Sequence, residues 1–65
     1  MDAKVLKKHA YDEIEGIFKM MAYAGVSMFV TPFRMKELMQ EYDISPLEID
    51  MLRREVIYEI NYNPI

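Results

Sequence analysis

Residues Ile44-Ser45-Pro46-Leu47-Glu48-Ile49 constrain the fold more than any other stretch of this chain, because they combine the signals that start an α-helix. Ser45 suits the N-cap, where a side-chain oxygen accepts from a backbone N–H of the first turn. Pro46 suits the first helical position, and Glu48 the third, from which a carboxylate reaches back to the Ser45 amide. Ile44 and Ile49 flank the cap at the spacing of a hydrophobic staple. A second start lies upstream, with Thr31 as cap, Pro32 at the first helical position, and Val30 and Met35 as the staple. Two starts this close together require a short helix, a tight turn and another helix.

The chain of 65 residues begins at a Met and carries no recognisable tag or signal peptide, so 1–65 reads as one complete small domain. A domain of this size removes only about 60% of its unfolded surface from water. Disulfides, a metal, regular helix packing or oligomerisation are the usual compensations. There is no Cys, and His9 is the only His, so neither a disulfide nor a closed zinc site is expected. Packing and association remain, and 52% hydrophobic residues with seven Met supply material for both. A homo-oligomer is therefore expected. The charge-free run from Met20 to Phe33 is too short to span a bilayer and contains Gly25 and Pro32, so it reads as a buried core segment. A net charge of −3 argues against a protein held to nucleic acid mainly by phosphate contacts. The lack of Cys is compatible with a cytoplasmic setting.

Periodicity predicts an all-α domain of three helices, over about 2–24, 32–42 and 46–60, with 61–65 as an extended tail. In the first helix Ala10, Ile14, Ile17, Phe18, Met21, Ala24 and Met28 recur at helical spacing, bordered by Leu6 and Tyr11. Glu15 and Lys19 form a favourable i,i+4 pair. Lys4, Lys7 and Lys8 sit near the positive end of the helix dipole, as a solvated end or a small anion-binding patch. Gly25 ends or weakens this helix. The residues 26–30 that follow can continue it, form a loop or form a short strand. The second helix buries Met35, Leu38, Met39 and Tyr42, and Asp43 falls in the tight turn. The third carries a core stripe of Ile49, Leu52, Val56 and Ile60, supported by an Asp50–Arg54 pair.

The third helix also has a second face. Leu47, Met51 and Tyr58 cluster opposite the core stripe with Arg54 among them, where a surface helix needs one apolar face only. Tyr, Met and Arg are residue types enriched at protein interfaces. These four residues are the candidate contact site for a protein partner or a second copy of the chain.

The span Lys36 to Arg54, KELMQEYDISPLEIDMLRR, resembles the helix-turn-helix of many transcription regulators. Leu38 and Met39 then lie at core positions of the first helix, Asp43-Ile44-Ser45 in the turn, and Ile49 and Leu52 on the inner face of the second. The resemblance implies DNA binding, with Arg53 and Arg54 as the contacts. Two departures weigh against it: Asp43 stands where that pattern usually has Gly, and the reading helix opens on Leu47, Glu48 and Asp50, whose carboxylates meet the phosphates' negative field. If 26–30 and 56–62 were extended, the element order would resemble a truncated winged helix. The unbroken stripe through Ile60 favours helix.

No catalytic set, cofactor site or metal site emerges. Ser45 is used as a cap, Ser27 has no nearby partner in sequence, and His9 lies off the apolar stripe. Glu37/Glu41 and Glu55/Glu59 are like-charge i,i+4 pairs that suit a solvated face or an acidic surface meeting a basic partner. The expectation is a non-enzymatic protein–protein interaction module, a self-associating adaptor, inhibitor or regulator, with a helix-turn-helix DNA-binding regulator as the alternative.

Overall fold

The computed structural model describes residues 2–62 as three helices, α1 (Ala3–Ala24), α2 (Phe33–Glu41) and α3 (Pro46–Tyr62), in an all-α domain. Asp2 caps α1, its carboxylate accepting from the Lys4 amide at 3.0 Å. Gly25 closes α1 in the left-handed conformation, with φ of 74°. There the Gly25 and Val26 amides donate to the carbonyls of Ala22 and Met21 at 3.3 and 2.9 Å. This pattern of reversed bonds uses up carbonyls that the helix leaves unpaired. The turn after α2 repeats it without glycine: Asp43 takes φ of 53°, and the Ile44 amide donates to Met39 at 2.9 Å. Asp is one of the few residues that tolerate this backbone geometry.

The described residues measure 34 × 21 × 18 Å. A helix of α1's length extends about 33 Å at 1.5 Å per residue, so α1 accounts for the long axis. It is the scaffold: the closest helix approaches are of α3 to α1 and of α2 to α1. The core joins Ala10, Ile14, Phe18 and Met21 of α1, Met35 and Leu38 of α2, Ile44 of the turn, and Ile49 and Val56 of α3. Ile44 and Ile49, the expected staple, are thus both inside. No described helix is long and apolar enough to cross a membrane.

Several expectations are corrected. Pro32 is the cap of α2 rather than its first helical residue, and no side chain caps that end. Proline fixes φ and leaves ψ free; at ψ of 156° Pro32 stays outside the helix while its carbonyl accepts from Lys36. At the other end Tyr42 follows the last helical residue. The 61–65 tail is helical over Asn61 and Tyr62, because Pro64 restricts only the residue before it; residues 63–65 lie outside the described residues. The 26–30 segment is neither helix nor strand but a turn, and 56–62 is helical.

The largest correction concerns the charge-free run. Within Met20–Phe33 only Met21 is buried, and Met20, Tyr23, Val26, Phe29, Val30 and Phe33 are exposed. The chain leaves α1 at Gly25, and of the apolar residues that follow before α2 only Met28 still packs against the core. On α1, Ala24 is exposed and Ile17 half-buried. Leu52 and Ile60 of the α3 stripe are only half-buried.

The Ser45 cap forms as its spacing demands. The Glu48 amide donates to Ser45 Oγ at 3.2 Å, and the Ser45 amide donates to Glu48 Oε2 at 2.7 Å. Ser45→Ala is expected to lower stability by about 0.5–2 kcal/mol, read from the urea midpoint.

Candidate protein interface on the outer face of α3

The start of α3 is fastened to α1 as well as capped. The Tyr11 hydroxyl donates to Glu48 Oε1 at 2.6 Å, and Lys7 approaches the same oxygen at 3.6 Å. Glu48 thus bridges its own helix cap and a side chain 37 positions away. The Tyr11 hydroxyl and the Ser45 amide, in that order, hold its carboxyl down to about 2. Lys7 Nζ also lies 5.8 Å from the centre of the Tyr11 ring. One of the three N-terminal lysines therefore has a structural use. Farther along, Lys19 meets Glu59 at 3.4 Å rather than pairing with Glu15 in its own helix.

The middle of α3 is fastened by Arg53, which is only 8% exposed. Its Nε donates to the Met28 carbonyl at 2.8 Å and its Nη1 donates to Asp50. The guanidinium lies 5.3 Å from the Phe18 ring centre and 5.1 Å from that of Phe29. Both distances fall within the range of cation–π attraction. Arg53 therefore joins the core, the turn after α1 and its own helix.

This corrects one expectation: Asp50 pairs with Arg53 one turn on, not with Arg54. Arg53 is also withdrawn from the surface, with its guanidinium engaged by the Met28 carbonyl and Asp50. Of the two arginines offered for DNA, only Arg54 is exposed. The signal for burial was present: Arg53 stands four residues after Ile49 and three before Val56, on the core stripe itself.

With its inner face and both ends committed, α3 turns the expected contact residues outward. Leu47, Met51 and Tyr58 are 70%, 56% and 63% exposed, and Arg54 is exposed with them. Tyr62 joins this strip, which the expected tail had concealed. Its ring stacks on Tyr58 with centroids 4.4 Å apart. At about 100° per residue the four apolar members span about 60° of the helix, opposite Ile49, Val56 and Ile60. Beside the strip, Tyr11, Glu48, Met51, Leu52 and Glu55 line an open groove of about 280 Å³ between α1 and α3.

Other parts of the surface offer less defined chemistry. His9 lies exposed on α1. Arg34 grips Glu13 through two bonds of 2.6 and 3.2 Å, clasping α2 to α1 at the surface. The exposed apolar residues around Phe29 and Phe33 form a second surface that the sequence had disguised as core.

The fold is that of a small three-helix, all-α domain. Comparison with known proteins finds no matching family model, no similar curated protein and no similar solved structure.

Two predictions concern the fastenings. Arg53→Ala is expected to cost about 1–3 kcal/mol, the usual loss when a buried hydrogen-bond partner is removed. Hydrogen exchange should show faster exchange of the 26–32 amides and little change in the α1 centre. The second concerns pH. The folded Glu48 carboxyl sits below its ordinary 4.5, so its contribution is full above 4.5 and is lost as pH falls toward about 2. Glu13, lowered by the Arg34 hydrogen bonds, acts in the same direction. Glu15, raised by burial and then by Glu55 and Asp12, acts in the opposite one. Glu48→Gln keeps the cap geometry but should flatten the decline in thermal stability between pH 4.5 and 2.

Proposed function

We propose that this protein is a non-enzymatic interaction module that binds protein partners, a second copy of itself among them, through the outer face of α3. The observation that carries this reading is the exposed strip of Leu47, Met51, Tyr58 and Tyr62 on the side of α3 away from its core. Single exposed apolar residues are ordinary on a protein surface. Four aligned along one helix face, with Arg54 beside them, make a surface whose Met, Tyr and Arg members are types enriched at protein interfaces.

Rigidity adds to the argument. A helix capped at Ser45, tied to Tyr11 and pinned at Arg53 presents its outer residues in fixed positions. Less conformational freedom is then lost on binding. A small acidic domain with one such face suits an adaptor, inhibitor or regulator of a larger protein, and the absence of Cys suits the cytoplasm. Of the two arginines offered for a DNA-binding role, burial of Arg53 leaves Arg54 alone exposed, which favours the protein-contact reading.

Light scattering over a range of concentrations tests the reading. The expected result is a mass above that of the monomer, returned to the monomer value by Met51→Asp with Tyr58→Asp. Circular dichroism and the urea midpoint should stay close to wild type, since both side chains are exposed. Association that survives the double substitution would place the contact elsewhere, first on the surface around Phe29 and Phe33.

A further inference from the structure

We infer that two copies of this chain pair through α3 with their helices parallel, about a two-fold axis running along the seam, so that Arg54 of each meets Glu55 of the other. The inference rests on the reading of α3 as a contact face and adds the partner and its orientation. It comes from how charge is distributed on the two sides of the apolar strip.

At about 100° per residue, Met51 and Tyr58 lie within about 10° of the middle of the strip, with Leu47 and Tyr62 about 30° to either side. Beyond Tyr62, on the flank toward α1, stand Glu48, Glu55 and Glu59. Beyond Leu47, on the flank toward the 26–30 turn, stand Arg54 and Asn61. Asp50 lies farther round that side and is engaged by Arg53. One flank is therefore acidic and the other carries a cation.

Symmetry decides which flanks meet. A two-fold axis across an antiparallel helix pair sets each flank against its own copy, bringing the glutamate flanks together. An axis along a parallel pair sets each flank against the opposite one. Like charges facing each other across an interface are strongly disfavoured. Only the parallel arrangement brings Arg54 to the acidic flank, twice over, while Met51 and Tyr58 each face their own copy.

The groove beside the strip fits the same arrangement. Its wall of Tyr11, Met51 and Leu52 can receive the aliphatic stem of the partner's arginine, with Glu55 at the rim for the guanidinium. The acidity of that flank is only partly balanced within one chain: Lys7 and Lys19 reach Glu48 and Glu59. Glu15 nearby is pushed up by burial and by Glu55, Asp12 and Glu59, against Lys19.

Because the chain has no Cys, introduced thiols can report the pairing directly. Met51→Cys alone should give a covalent dimer under mild oxidation. Positions 51 and 58 are about 10 Å apart along one helix, beyond the roughly 7 Å reach of a disulfide, so in a parallel pair a thiol at 51 cannot link to one at 58 of the other copy. In sedimentation equilibrium, Arg54→Glu and Glu55→Arg should each raise the dimer dissociation constant about tenfold or more, and exchanging both should restore it. Cross-linking only in a mixture of Met51→Cys with Tyr58→Cys chains would show an antiparallel pair. Charge reversals without effect would likewise overturn the inference while leaving the α3 contact face standing. A monomer at every concentration overturns self-pairing. Association that persists in Met51→Asp with Tyr58→Asp removes the underlying reading as well.

Discussion

The Arg53 guanidinium is the interaction on which the rest of this structure depends. A nearly buried charge is costly unless its donors are satisfied and its charge compensated. Here the Met28 carbonyl, the Asp50 carboxylate and two aromatic faces do both. The eight residues between α1 and α2 contribute no residue to the buried core and have little regular hydrogen bonding. Arg53 gives that segment a fixed point against Phe18, and it sets which way α3 faces as it does so.

A second fastening, between Tyr11 and Glu48, fixes the start of α3 against α1. Between them the two contacts define the helix rotation. Ile49 and Val56 go inward, and Leu47, Met51, Tyr58 and Tyr62 go outward. The groove beside Met51 arises from the same packing, since Tyr11 forms its α1 wall. The exposed apolar strip is thus a consequence of how α3 is held. The carboxylate that completes the helix cap also carries the tie to α1, so one residue serves local and tertiary order together.

The number and order of helices were legible because helix ends are local. Asp2, Gly25, Asp43 and Ser45 act on backbone groups within about five positions of themselves, so their patterns survive in a linear text. The exposed strip on α3 was legible for a similar reason: its spacing places Leu47, Met51 and Tyr58 together whatever lies beneath. Pro32 misled because proline fits both a cap and a first helical position. Met20–Phe33 misled because absence of charge does not specify burial, and periodicity is lost once Gly25 ends α1. Arg53 was assigned by its charge, although its position on the Ile49–Val56 stripe pointed inward.

By itself, then, the sequence determined three helices, the tight turn at Asp43 and an outer strip on the third, all through interactions between near neighbours in the chain. Only the tertiary structure decided that Arg53 meets the Met28 carbonyl in the interior, that Glu48 answers to Tyr11, and that the residues around Phe29 and Phe33 face solvent. Those outcomes join residues 25 and 37 positions apart. Such contacts depend on how α3 lies along α1, an arrangement that no local pattern encodes.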